Sequence, residues 1–239
     1  MDIRLKRYRK DFQHSYSNGV YSTIELLKSR PENTVKVLLS SSGSNNKGVM
    51  RIRELCNRHD VPFEVNDKTI NRISTDGKHL AVGVFKKYVT QIDPGKNHVM
   101  LVNPGDMGNL GTIARTMLGF GMSDLALIRP AVDIFDPKVI RASMGSLFSL
   151  SVEYFERFEI YMERFDHNLY LFMTGGSRRI DQMKKKAPFT LVFGNESSGL
   201  PRGFEKLGTN VTIPHNKVID SLNISVAVGI ALYVFKNIN

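Results

Sequence analysis

The chain has 239 residues, 41% of them hydrophobic and 23% charged, with 33 Lys and Arg against 23 Asp and Glu for a net charge of +10. That composition excludes a disordered or fibrous chain, and the length allows a sizeable core without covalent staples. The single cysteine, Cys56, excludes an internal disulfide, a multi-thiolate zinc site and an iron–sulfur cluster, and fits a reducing cytoplasm.

The chain opens on Arg4, Lys6, Arg7, Arg9 and Lys10 around Tyr8, with no apolar run behind them that would make a secretory signal. Such an arm offers phosphate contacts beside a ring that can stack on a base, or it is a frayed tail. Apolar spacing predicts a helix over Val20–Arg30 and a strand over Val35–Leu39. A Ser/Gly/Asn loop over 40–47 follows, then a helix over Val49–His59 and an extended stretch over Val61–Val65. A helix over Asp67–Ser74, capped by Asp67, and a strand over Leu80–Phe85 complete a small α/β unit, 1–90. Residues 91–97, with Asp-Pro-Gly and no apolar period, read as a linker. Residues 1–90 carry 17 basic against 9 acidic side chains, and residues 91–239 carry 16 against 14. The basic front is either a polyanion-binding face or a solvated surface.

From residue 98 onward strands and helices alternate. Strands are predicted at His98–Val102, Asp124–Ile128, Asn168–Met173, Phe189–Phe193 and Asn210–Ile213. Helices are predicted at Gly108–Gly119, Pro137–Arg141, Glu156–Arg164 and Ser221–Lys236, with a further one opened by Pro201. Strands apolar on both faces and separated by helices imply a mainly parallel sheet covered on both sides. The last helix is apolar nearly all round yet too short to span a bilayer, so burial in a core or against a second subunit is expected.

Three polar, Gly-rich segments follow predicted strands, where ligands collect in open α/β sheets. In Asn103-Pro-Gly-Asp-Met-Gly-Asn-Leu-Gly-Thr-Ile-Ala-Arg-Thr116 the glycines are spaced three apart, which fits neither a dinucleotide fingerprint nor a P-loop. The stripe Leu110, Ile113, Ala114, Met117, Leu118 fixes the buried face and leaves Arg115 at its border, open to a substrate or an ion pair. In Leu191-Val-Phe-Gly-Asn-Glu-Ser-Ser-Gly-Leu-Pro201, Glu196 sits in a tight turn, where backbone N–H groups at a helix start can hold it. In 213–229, Ser221 is placed to cap the final helix, which leaves Asn223 unexplained. No histidine set has metal-ligand spacing and no Ser-His-Asp arrangement is visible, so no metal is expected.

Together the segments resemble the three ordered motifs of the SpoU (TrmH) family of the SPOUT methyltransferase superfamily. Asn109-x-Gly111-x-x-x-Arg115 is similar to the first motif, Phe193-Gly-Asn-Glu-Ser-Ser-Gly-Leu200 to the second, and Ile213-Pro with Ser221-Leu-Asn-Ile-Ser-Val-Ala227 to the third. Arg141-Ala-Ser-Met-Gly145 resembles an intervening family element, and His215 stands where many relatives have Met. The resemblance implies a SPOUT catalytic domain over 98–239 with a mainly parallel sheet and a deep trefoil knot, preceded by an RNA substrate-binding α/β domain. It implies S-adenosylmethionine as cofactor, held by Thr174, Gly175, Gly194, Ile213 and Leu222, with Gly194 letting the backbone approach the ligand. It implies methyl transfer to a ribose 2′-hydroxyl of RNA, rRNA before tRNA. Arg115 is then base or positioner, and Asn109, Glu196, Ser221 and Asn223 orient it and the substrate, with Arg115 serving its own cavity or crossing from the other subunit of a homodimer joined through the knot. The alternatives are a catalytically silent RNA- or ribosome-binding protein of the same fold, and a nucleotide-dependent oxidoreductase that the glycine spacing disfavours.

Overall fold

The computed structural model describes residues 5–74 and 79–238, so Arg4 of the basic arm lies outside the described residues. The chain divides into two compact units, 1–88 with 133–149, and 89–132 with 150–239.

The first unit is built on a four-stranded sheet. Its strands are β1 (His14–Asn18), β2 (Thr34–Leu39), β3 (Phe63–Val65) and β4 (Ala81–Lys86), in the order β1-β4-β2-β3. β4 runs antiparallel to both neighbours, and β2 pairs β3 in parallel. Alternation in β2 sends Val37 and Leu39 to one face and Leu38 to the other. The first face is covered by helices α1 (Val20–Ser29) and α2 (Lys47–Arg58) through Leu27, Val49, Ile52 and Leu55. The second is covered by α3 (Asp67–Ile73) through Ile70 and Ile73. Asp67 is not the cap of α3. Asn66 accepts from Thr69 N at 3.0 Å, and the Asp67 carboxylate instead accepts from the Ser40 hydroxyl at 2.6 Å and holds the 40–43 turn.

Apolar periodicity gives no sign of β1, because Ser15, Ser17 and Asn18 are buried polar residues. Ser17 fills that position by accepting from Gly83 N at 3.2 Å and meeting the Thr23 hydroxyl at 3.1 Å.

Residues 133–149, expected in the second domain, belong to the first unit. The segment carries α5 (Pro137–Ala142), and its Phe135 and Phe148 rings pack on Phe85 at 6.0 and 5.2 Å between centroids. Gly145, at φ +83, lets the segment close on α1, since a Cβ there would stand 2.8 Å from Glu25 Cβ and 2.9 Å from Ser22 Cα.

The second unit carries a seven-stranded sheet in which every pairing is parallel. Its strands are β5 (His98–Val102), β6 (Asp124–Ile128), β7 (Ser151–Phe155), β8 (Asn168–Phe172), β9 (Arg178–Arg179), β10 (Phe189–Phe193) and β11 (Thr209–Thr212), in the order β7-β6-β5-β10-β8-β11-β9. β7 and the two-residue β9 are additions to the expected set. The helices are α4 (Met107–Gly119), α6 (Phe158–Arg164) and α7 (Ile224–Asn237). α6 lays Phe158 and Tyr161 on one sheet face with Val102, Ile128 and Val192, while Phe235 of α7 packs on Tyr170 and Phe189. α4 packs on α7 and buries Leu110, Ile113, Ala114 and Met117; Leu118, expected in that stripe, is 38% exposed at its border. Pro201 opens no α-helix, only a 3₁₀ turn over Phe204–Lys206. Among the described residues no helix is long and apolar enough to cross a membrane, and no three His, Cys, Asp or Glu gather as a metal group.

Candidate active site

β5 lies between β6 and β10; the chain passes from β5 to β6 on one side and from β10 to β11 on the other, so a crevice opens between their carboxyl ends. There Asn103 takes a left-handed conformation, φ 54°, which turns the chain out of β5. Its side chain donates to Arg129 O at 2.6 Å, and its carbonyl accepts from Asn195 Nδ2 at 2.7 Å. The loops after β5, β6 and β10 are thereby tied together.

The turn after β10 is closed on itself. Asn195 and Gly199 exchange backbone hydrogen bonds at 3.0 and 2.9 Å, and Asn195 Oδ1 accepts from Ser197 N at 3.0 Å. Gly194 is required by this closure. A Cβ on it would stand 2.0 Å from Gly199 C and 2.2 Å from Leu200 N, so self-packing of the turn accounts for the glycine without any ligand.

Glu196 projects from this turn to the start of α4, where its two oxygens accept from Gly105 N at 3.1 Å and Asp106 N at 3.2 Å. The carboxylate does sit at a helix start, as the sequence suggested, but the helix is α4 and not one after Pro201. Asp106 caps α4 through Asn109 N at 2.6 Å, and Asn109 Oδ1 accepts from Asn223 Nδ2 at 3.1 Å. Asn223 in turn caps α7, its Oδ1 accepting from Ser225 N at 2.8 Å. The cap expected at Ser221 is therefore Asn223, and the helix begins at Ile224. Glu196, Asn109 and Asn223 form a hydrogen-bonded line from the β10 turn through α4 to α7.

The loops surround a cavity of about 490 Å³. Eight of the ten residues singled out from the sequence line it: Asn109, Glu196, Ser221, Asn223, Thr174, Gly194, Ile213 and Leu222. Gly175 does not line it and has nothing within 4 Å of a built Cβ. The glycine that the loop requires is the next one, Gly176, whose Cβ would stand 2.5 Å from Val211 C. Arg115 is exposed on α4 and does not line the cavity either. It lies six residues beyond Asn109, about 9 Å along the helix axis.

Phe172 and Asp220, which the sequence did not single out, and Phe193 and His215, to which it assigned no role, also line the cavity. The two Phe rings stack at 4.5 Å between centroids with 12° between planes; their place at the carboxyl ends of β8 and β10 was the available signal. His215 Nδ1 meets Ile213 O at 2.8 Å, and because a carbonyl only accepts, that nitrogen carries the proton. Leu200, Ile213, Leu222 and Ala227 add apolar patches to a lining that also carries Asn195, Ser197, Ser198 and Thr212. Glu196 and Asp220 bring carboxylates, and no Lys or Arg is among the described lining residues. A cleft with aromatic and apolar patches among hydroxyl and amide groups, two carboxylates and no lining Lys or Arg suits a positively charged ligand carrying a flat ring better than the pyrophosphate of a dinucleotide.

Comparison with known proteins agrees with this geometry. An uncharacterized tRNA/rRNA methyltransferase of Synechocystis sp. is 34% identical over 177 residues, 72% of this chain and 65% of that protein. A 23S rRNA (adenosine(1067)-2′-O)-methyltransferase of Streptomyces laurentii is 33% identical over 142 residues, 53% of this chain and 49% of that protein. The chain thus spans less than two thirds of the length of these two relatives. The crystal structure of an rRNA methyltransferase from Sinorhizobium meliloti superposes with a TM-score of 0.77 at 26% identity, covering 95% of this chain and 88% of that one. An AdoMet-bound structure of an rRNA methyltransferase from the same organism gives 0.74 at 26% identity, covering 93% and 86%. The family model of the SpoU rRNA methylases matches residues 96–233, which include every loop described above, and the chain belongs to that family.

Proposed function

We propose that this protein transfers a methyl group from S-adenosylmethionine to a ribose 2′-hydroxyl of RNA, with rRNA as the substrate class. The observation that carries the reading is the cavity at the carboxyl ends of parallel strands: aromatic and apolar patches beside hydroxyl and amide groups, two carboxylates, and no Lys or Arg among the described lining residues. The names of the Streptomyces and Sinorhizobium proteins support the rRNA assignment, and the AdoMet-bound structure supports the cofactor. Bound there, the cofactor supplies an electrophilic methyl on a sulfonium centre.

Thr174, Gly194, Ile213 and Leu222 form the cofactor wall, with Ile213 and Leu222 flanking the adenine. Asn109, Glu196, Ser221 and Asn223 fix the opposite side. Glu196 holds the α4 start, and the Asn109–Asn223 pair fixes α4 against the loop before α7. Their task is to align the ribose oxygen with the methyl, because in-line displacement depends on orientation. Arg115 positions the ribose and its phosphate; a guanidinium keeps its proton in ordinary surroundings, so it acts by charge and hydrogen bonds. Since Arg115 stands away from the cavity of its own chain, it serves the cavity of a second copy in a homodimer. Val226 and Tyr233 on α7, 50% and 61% exposed, supply an apolar face for that contact. The first unit, with its basic arm, binds the RNA, and the protein works in the cytoplasm. A trefoil knot over the last strands is supported by the insertion of β10 between β5 and β8 before the chain returns to β11.

The test is methyl transfer from labelled S-adenosylmethionine to rRNA, followed by mapping of ribose methylation in cells with and without the protein. Arg115→Ala is expected to lose transfer by 10²-fold or more while calorimetry shows the cofactor still bound. Undiminished transfer in that variant removes Arg115 from the mechanism, and RNA binding without any transfer by the wild type reduces the protein to a silent relative.

A further inference from the structure

Among the described residues that line the cavity there is no Lys or Arg. A ribose inside an RNA strand has a phosphate on either side, so the cations that hold the strand must stand outside the cavity. The second unit, 89–132 and 150–239, has fourteen Lys and Arg against twelve Asp and Glu. Residues 178–186, Arg-Arg-Ile-Asp-Gln-Met-Lys-Lys-Lys, hold five of those cations and one of those acids, which leaves nine against eleven elsewhere. The unit is otherwise slightly acidic, and its whole positive excess sits in this stretch.

The stretch is held in place. Ile180 and Met183 are 3% and 7% exposed and pin its middle. Arg178 and Arg179 pair in register with Val211 and Thr212 of β11, and both of those residues line the cavity. The Tyr170 hydroxyl donates to Lys184 O at 3.1 Å and accepts from Lys186 N at 2.9 Å. Lys185 Nζ donates to Phe235 O at 3.0 Å, near the end of α7. Arg179 is engaged by Asp181 at 2.8 Å, which leaves Arg178, Lys184 and Lys186 as exposed cations on a fixed backbone. A fixed backbone lowers the ordering cost of each phosphate contact.

We infer that residues 178–186 form a phosphate-binding ridge that starts beside the methyl-transfer cavity at Arg178, runs towards the amino end of β10 at Lys184 and Lys186, and holds the RNA backbone leading away from the cavity, an inference that rests on the RNA methyltransferase reading above. The test uses the full-length protein with Arg178, Lys184 and Lys186 all changed to Gln, and a fluorescent RNA hairpin of arbitrary sequence titrated at several salt concentrations. Affinity is expected to fall about five- to tenfold at moderate salt, and the slope of log K against log salt to become shallower by about two to three. Cofactor binding by calorimetry, melting temperature and mass by light scattering are expected to stay at wild-type values. Lys184→Gln alone, expected to flatten the slope by about one, keeps the test open if the triple variant folds poorly. Unchanged affinity and slope, beside a wild type that binds, overturn the ridge and leave the methyltransferase reading standing. A wild type that binds no RNA at any salt overturns that reading itself. A change in mass with RNA binding intact makes the stretch an interface between copies, and also overturns the ridge.

Discussion

Two side chains show how much the site depends on single atoms. Glu196 satisfies two backbone N–H groups that the start of α4 would otherwise leave to solvent, so Glu196→Ala is expected to cost about 1–3 kcal/mol in urea unfolding. Because α4 also carries Asn109, the same change is expected to lower the transfer rate more than it weakens cofactor binding, read as kcat against Kd. Gly194 is more demanding. An Ala Cβ would meet backbone atoms at 2.0 and 2.2 Å that have no flexible end to yield, and Gly194→Ala is expected to destabilise by about 3 kcal/mol or more, seen as a drop in melting temperature. Glu196 and Gly194 both stand out in the sequence as polar or glycine residues after a strand. That Glu196 meets Gly105 N and Asp106 N does not, because contacts across the β5–β10 crevice leave no local periodic trace.

At the scale of elements, strands β5, β6 and β10 match their predicted bounds because long apolar runs in a parallel sheet are unambiguous. β1 escapes for the opposite reason, two of its buried positions being serines, Ser17 with partners in β4 and α1 and Ser15 donating to Phe135 O. The amino end of the large sheet holds a buried polar cluster. His98 Nε2 donates to Asp93 O at 2.8 Å, its Nδ1 accepts from the Tyr161 hydroxyl at 2.7 Å, and Thr190 stands 2.6 Å from that hydroxyl. Desolvation, with the neighbouring His167 adding to it, holds His98 below the ordinary imidazole value. The unfolded chain then takes up the proton first, so the stability this group contributes is present above about pH 6.5 and is lost as pH falls. Melting temperature is expected to decline on acidification below that point, and His98→Gln to show a flatter profile. Burial also pushes the Cys56 thiol up to about 11, so it stays protonated at neutral pH. A thiol reagent is expected to label it only on unfolding.

For the molecule as a whole, the proposed dimer makes a prediction that separates a shared site from a self-contained one. Arg115→Ala and Asn223→Ala are each expected to be inactive alone. Mixed after unfolding and refolding, they form about half heterodimers, each with one cavity that has an intact Asn223 and an intact Arg115 delivered from the other chain. About a quarter of wild-type activity is expected to return. No recovery would mean that Arg115 acts on the cavity of its own chain.

Sequence alone was enough for the α/β class and for most strands and helices of the second unit, because apolar runs are local signals, and eight of the ten residues named from the motifs and the family resemblance line the cavity. The tertiary structure decided the rest. It assigned residues 133–149 to the first unit through aromatic packing on Phe85, tied Asn223 to Asn109, required a glycine at 176 beside the Val211 backbone, and left Arg115 outside the cavity of its own chain. Each of these depends on which distant backbone lies within a few ångströms of a given residue, and spacing along the chain carries no measure of that distance.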